Sequence, residues 1–398
     1  KYKDTNAEDI QKISKEFDLP KSISTIMSLK KINSKELSRN FFYSDLKNLH
    51  NPSLMKDMEK AVNRVLLAKK SNQIILIIGD YDTDGTSAAS ILHLYFKSVG
   101  IKSYFYIPHR QKEGYGVSKK SIDYGIKIGA KLIISCDCGI TAIEQVDYAN
   151  DQKIDFIVTD HHKQKEVLPN AYAILNPNQH QCNYPFKGLC GAGVAFKLCL
   201  GIDQQLNSKN DIYQLLDLVA IATVSDLVPI IGENRILCYH GMKKLNETNK
   251  PGLKKFLSLS KSNINTSDIS FKIAPRINSA GRIDHSLEAF KLLTYNKIID
   301  VEKQFIKIEK FNENRRLIDE ETTKEAIEIV ENSKIKSNTT VVLSENWHKG
   351  VIGIVASRLI ENYYKPTIVF TSSGDNYVGS VRSVRDFDVY KTLEMSKK

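Results

Sequence analysis

The sequence predicts an α/β protein: a parallel-sheet domain joined by a long helix to a smaller α/β domain, with a catalytic cleft between them. Three observations carry this. Apolar runs such as Ile74-Ile75-Leu76-Ile77-Ile78 alternate with stretches of helical rhythm, the pattern of strands covered by helices. The runs are apolar throughout, as in parallel strands buried on both faces. Several of them end in acids, the strand end at which open α/β sheets place their ligands.

Taken in order, residues 1–70 read as a polar, helical lead-in, with Phe41-Phe42-Tyr43 and Asn51-Pro52 marking loops. Residues 71–285 form the first domain, with strands expected at 74–78, 104–107, 132–135, 156–159 and 172–175 and a helix over 87–99. From Gly191 the pattern turns helical, over 192–200, 212–224 and 235–245, until Pro251-Gly252 breaks it. Residues 275–282 read as an irregular basic loop. A long, charged connecting helix follows over 287–330, within a connector spanning 286–335. The second α/β unit, 336–398, carries strands at 340–343, 367–370 and 377–379 and a helix over 351–362. It ends at Lys398 as another helix begins, so it is expected to be cut short.

The 398 residues include 57 Lys and Arg against 46 Asp and Glu, a net charge of +11 that fits a phosphate-rich partner or a biased genomic composition. The six cysteines lack zinc-type pairing and the density of a stapled secreted domain, so reduced thiols and a cytoplasmic setting are expected. No apolar run reaches the length of a membrane span, so no membrane partner is expected. The chain starts with Lys, which marks a fragment or a processed chain.

The chemistry concentrates at Gly79-Asp80-Tyr81-Asp82-Thr83-Asp84-Gly85. In an extended segment, Asp80, Asp82 and Asp84 project to one side and call for an opposite charge, most simply a hard divalent cation. A calcium loop would need Glu at its twelfth position, where this chain has Ile91, and an entering helix in place of the apolar strand. A solvated acidic turn is the other alternative. Two further strand ends supply Cys136-Asp137-Cys138 and Asp160-His161-His162. If these segments are extended, Cys136 and Cys138 face away from Asp137 and serve packing. By the same rule one histidine ligates while the other supports it or meets substrate.

These residues, together with Val224-Ser225-Asp226-Leu227-Val228-Pro229, resemble the four ordered motifs of the DHH phosphoesterase superfamily in its RecJ exonuclease branch. Further stretches resemble that branch: Ile107-Pro108-His109-Arg110 with Glu113-Gly114-Tyr115-Gly116, residues 275–282, and residues 347–358. The resemblance implies a pair of Mn²⁺ ions, with Mg²⁺ as alternative. Asp80 and Asp82 would serve one ion, Asp84, His161 and Asp226 the other, with Asp137 bridging; His162 would approach the scissile phosphate and Asp160 orient the histidines. Two such ions, roughly 3.5–4 Å apart, activate water and stabilise an in-line displacement, and mixed carboxylate and imidazole donors suit Mn²⁺.

Substrate contacts implied by the resemblance are Arg110, Tyr115, Arg276, Asn278, Arg282, His348 and Arg358, with Ser380, Arg382 and Ser383 from the Gly379-Ser380-Val381-Arg382-Ser383 stretch of the DHH-associated domain. Val381 stands where the family has glycine. For Arg110, Arg276 and Arg282, ordinary surface ion pairing is the alternative. The function implied is metal-dependent hydrolysis of single-stranded DNA from its 5′ end to 5′-mononucleotides, in DNA repair and recombination. The partners implied are single-stranded DNA, a single-strand-binding protein and a helicase, with the chain itself a monomer. An oligoribonuclease or cyclic-dinucleotide phosphodiesterase of the same superfamily, and a non-catalytic scaffold on the same fold, are the rival readings. A strand-holding barrel expected in bacterial relatives lies beyond Lys398, so the core is expected to grip DNA through its basic cleft.

Overall fold

The computed structural model describes residues 6–333 and 337–396; the expected junction at 335–336 lies outside them. The first sheet has five parallel strands, β1 (Ile74–Gly79), β2 (Ser103–Tyr106), β3 (Ala130–Cys136), β4 (Asp155–Thr159) and β5 (Ala173–Leu175), in the order β2-β1-β3-β4-β5. Ile75, Leu76, Ile77 and Ile78 are all buried because both faces of the sheet are covered. One face packs on the helices Thr83–Ser98, Gly191–Leu206 and Leu216–Ser225. The other face is covered by the helices Lys119–Lys127 and Ile143–Asp151. The strand order reverses direction between β1 and β3, which opens a crevice at their carboxyl ends.

The second sheet comprises β6 (Thr340–Leu343), β7 (Thr367–Ser373) and β8 (Asn376–Arg382), with β6 and β7 parallel and β8 antiparallel to β7. The helix Ile352–Tyr363 lies on it, and Trp347, Val355, Leu359 and Val369 form a small core that also takes in Ala326 of the connecting helix Ile298–Asn332. Asp319 of that connector is fully buried and accepts from Arg358 at 2.7 Å, which pins the second unit to it.

Five expectations change. The acidic segment after β1 is not extended. Asp82 caps the helix Thr83–Ser98 by accepting from Gly85 N at 3.0 Å, so the helix starts four residues before the expected Ser87 and carries Asp84 in its first turn. Pro251 opens a helix, Pro251–Leu257, where a break was expected, and residues 275–282 belong to the helix Ala274–Ile283; both prolines sit in a first turn, where no N–H is needed. The helical stretch 287–330 is two helices, Leu287–Thr294 and the 35-residue Ile298–Asn332. Asp137 has φ +61°, so the backbone leaves the extended conformation at the acid itself, yet both cysteines do pack: Cys136 in the larger core and Cys138 in the smaller one across the sheet.

Candidate metal centre

The parallel ladder lines up three acids. Each is the residue after its strand, and each donates its backbone N–H to the next strand: Asp80 to Cys136 O at 3.2 Å, Asp137 to Thr159 O at 2.9 Å and Asp160 to Leu175 O at 3.0 Å. The register of β1, β3, β4 and β5 thus sets Asp80, Asp137 and Asp160 side by side at the crevice. Asp82 and Asp84 arrive on the helix start, Asp226 at the end of Leu216–Ser225, and His161 and His162 just past β4.

Three overlapping groups result, each with donor atoms within 4.8 Å of one another: Asp80, Asp82 and Asp137; Asp84, His161 and Asp226; and Asp137, His161 and His162. His161 Nε2 lies 3.1 Å from Asp137 Oδ1 and 3.7 Å from both Asp84 Oδ2 and Asp226 Oδ2. Asp137 Oδ1 and His161 Nε2 are buried and, although close to each other, have no hydrogen-bond partner. Such orphaned atoms carry a desolvation penalty unless something else binds them.

The electrostatics point the same way. Burial and then Asp82 push the Asp80 carboxyl up to about 8, and burial followed by Asp84 and Asp82 pushes Asp226 up to about 7. Burial raises Asp84, against the opposing pull of His161, and burial with four neighbouring carboxylates raises Asp137 well above the ordinary range. Among the described residues no Lys or Arg forms an ion pair with any of these acids. Crowded, buried, uncompensated carboxylates with an imidazole among them fit a divalent cation site.

The surrounding backbone is built for these carboxylates. Gly191 N and Ala192 N, opening the helix Gly191–Leu206, donate to Asp84 at 2.6 and 2.8 Å. A Cβ on Gly191 would come within 2.6 Å of Asp137, and one on Gly85 within 2.6 Å of Asp80 N. Glu113 accepts from His109 N, Tyr106 Oη and Ser118 Oγ, and so shapes the loop whose Gly116 N reaches Asp80 at 3.3 Å. Gly191 and Ala192 escaped the sequence reading, since backbone donors leave no side-chain signature; the Gly-Ala-Gly opening of an apolar helix was the available hint, and Glu113 stood within its motif without a role.

The expected substrate residues divide. Tyr115 lies at the mouth, its hydroxyl 3.1 Å from Asp137 O and 3.3 Å from His162 Nδ1. The Arg110 guanidinium covers the Tyr81 ring at 4.9 Å. Arg282 donates to Gly350 O at 2.9 Å, and His348 Nε2 lies 3.1 Å from Gln111 Nε2, so both bridge the two units. Arg382 belongs to the same basic group, since burial first and then Arg110, Arg315 and Arg382 push Arg282 down to about 10. It also reaches Ser357 Oγ at 3.2 Å and Ser380 Oγ at 3.5 Å, whereas Ser383 bonds to Phe387 O in its own turn. Three residues are occupied elsewhere. Arg276 engages Glu309 through two nitrogens and Lys272 O through the third, Arg358 pairs with Asp319, and Asn278 accepts from Thr83 N at 2.9 Å. In this arrangement all three make intramolecular bonds, with Asn278 holding the start of the helix that carries Asp84.

Residues 74–223 match the DHH family, N-terminal domain, and residues 336–398 match the DHHA1 domain. Fold, acid row and family matches define the class: a DHH-type domain followed by a DHHA1 domain. A single-stranded-DNA-specific exonuclease RecJ of Bacillus subtilis (strain 168) is 34% identical over 389 residues, 96% of this chain and 49% of the relative. The protein of that name from Escherichia coli (strain K12) is 34% identical over 85% of this chain and 62% of its own length. A crystal structure of exonuclease RecJ bound to manganese superposes with a TM-score of 0.77 at 27% identity, covering 88% of this chain and 87% of that one. The fold also matches RecJ from Thermus thermophilus, with a TM-score of 0.85 at 22% identity, over 98% of this chain and 56% of that one. The chain thus carries a DHH-family domain and a DHHA1 domain, and the relatives that it matches along most of its length are RecJ proteins; it spans about half to two thirds of their length.

Proposed function

We propose that this chain is the catalytic core of a divalent-metal-dependent phosphodiesterase that hydrolyses single-stranded DNA from its 5′ end to 5′-mononucleotides. The observation that carries the reading is the orphaned, buried pair of Asp137 Oδ1 and His161 Nε2 within the carboxylate cluster at the switch point of the sheet. The names of the relatives and the manganese in one of their structures support it.

Asp80 and Asp82 would hold one ion, Asp84, His161 and Asp226 a second, with Asp137 between them. Mn²⁺ is the first choice for this mixed donor set and Mg²⁺ the alternative. When bound, the metal pair supplies an activated water and charge stabilisation at the phosphoryl oxygens. Asp160 fixes the His162 ring through Nδ1, which leaves Nε2 as the nitrogen available to a phosphoryl oxygen or leaving group. Arg110, Arg282 and Arg382, with His348, hold the strand's phosphates at the junction of the two units, and Tyr115 borders the entrance. A monomer in the cytoplasm, working with a single-strand-binding protein and a helicase in DNA repair and recombination, completes the proposal.

The test is a metal-titrated digestion of long single strands labelled at the 5′ or the 3′ end. Release of labelled mononucleotide from the 5′ label first is expected. Degradation of only very short oligonucleotides would favour the oligoribonuclease reading. No hydrolysis with any divalent ion would favour the scaffold.

A further inference from the structure

Beside the metal centre lies a cavity of about 410 Å³ whose lining has only Arg282 in common with the residues assigned above to metal and phosphate. Its lining runs from Val224 and Ser225, directly before Asp226, across the Ala274–Ile283 helix to Arg315 of the connecting helix and Ile354 of the second unit. The volume falls in the range of small-molecule sites, roughly 300–1,000 Å³.

Two large apolar side chains on separate elements border it while facing water: Leu227 is 84% exposed and Phe271 79% exposed. Leu227 also has φ +58°, at a helix end where glycine is the usual occupant. Phe271 sits in a π-helical turn, Ile269–Ile273, a distortion that recurs at functional sites. Both side chains bury little against the fold and leave apolar area open to a ligand. The polar members of the lining include Arg282 and Arg315, and no carboxylate. Arg315 is held in place by Asn312 Oδ1 at 2.7 Å and by the buried Asp319 at 3.7 Å. An apolar rim with a fixed guanidinium beside it matches a base joined to a phosphate.

We propose that this cavity is a nucleotide subsite: the base of a nucleotide adjoining the scissile phosphate packs on Phe271 and Leu227, and Arg315 neutralises its phosphate. The inference rests on the single-strand reading above and deepens it. Stacking without hydrogen-bond readout makes the subsite indifferent to base identity.

The test measures binding of phosphorothioate-linked single strands of about ten nucleotides that carry one abasic residue at successive positions from the 5′ end. For the parent chain, removing the base at one or two positions should weaken binding roughly 5- to 150-fold. Phe271→Ala and Leu227→Gly should weaken binding of the intact strand and erase the penalty at those same positions. Leu227→Gly relieves the left-handed backbone, and Phe271 is exposed, so both variants should fold; their thermal midpoints check this. A penalty profile unchanged in both variants, or absent from the parent, overturns the subsite while leaving the single-strand reading in place. A parent chain that binds no strand overturns the function itself.

Discussion

Asp160 and His162 are locked together: Nδ1 of the ring lies 2.7 Å from Oδ1, and the same oxygen accepts the backbone N–H groups of His161 at 2.7 Å and His162 at 3.0 Å. Burial opposes ionisation of Asp160, but the His162 ring and the backbone N–H groups of His162 and Ile140 outweigh it and hold the carboxyl below its ordinary range. The bond from Asp160, in turn, holds the His162 imidazole above its ordinary value.

Asp160→Asn keeps an oxygen for the backbone and removes the charge. Turnover should fall about 10–100-fold, the usual effect of losing a partner that orients a working histidine, with bound metal retained. Rate and metal content measured on one preparation decide it; an unchanged rate contradicts the positioning role.

Without metal, the acid cluster makes stability depend on pH. Asp80 at about 8 and Asp226 at about 7 lie above their unfolded value near 3.8, so the folded state binds more protons between these limits. Stability of the metal-free chain should therefore fall as pH rises from about 5 to 8. Because metal binding requires the deprotonated ligands, stabilisation by Mn²⁺ should grow over the same window. Thermal midpoints in EDTA and in Mn²⁺ across that range provide the check.

Arg276→Ala should destabilise the fold by roughly 1–2 kcal/mol, through loss of the forked pair with Glu309, and leave strand affinity unchanged. Arg110→Ala should do the reverse, weakening the strand and flattening its salt dependence. A loss of affinity in the Arg276 variant with no change in midpoint would return Arg276 to the substrate.

His93 lies edge-on to Phe105 and Phe290, at 5.4 and 5.6 Å between ring centroids, and burial, with a smaller push from Lys97, lowers it to about 4. It stays neutral in the fold while the unfolded chain takes up a proton below 6.5. Its stabilising effect is thus complete above pH 6.5 and lost as pH falls toward 4. Relative to the parent, His93→Leu should gain about 2–3 kcal/mol between pH 7 and 4.5, a difference in which the acid cluster cancels. A constant difference across that range would contradict the assignment.

The strands and the acids were legible because each rests on local signal: β1, β3 and β4 are each centred on an apolar run, and Asp80, Asp137 and Asp160 directly follow these strands. What the sequence hid was set by backbone or by distance. Thr83, Asp84 and Gly85 read as part of an extended segment, although capping by Asp82 makes them the first turn of a helix. Residues 274–283 are rich in Pro, Asn, Ser and Gly, and still form a helix because Pro275 falls in its first turn. Arg276 and Arg282 share that helix and that motif, and only Glu309, 33 residues away in sequence, separates a structural arginine from one beside the crevice.

The most direct measurement compares the parent chain with Asp137→Asn, a substitution that tolerates the left-handed backbone at φ +61°, on end-labelled single strands under metal titration. The account predicts hydrolysis by the parent only with Mn²⁺ or Mg²⁺. For the variant it predicts no hydrolysis, lost metal-induced stabilisation and retained strand binding. Hydrolysis by the parent in EDTA, or undiminished turnover by the variant, would contradict it.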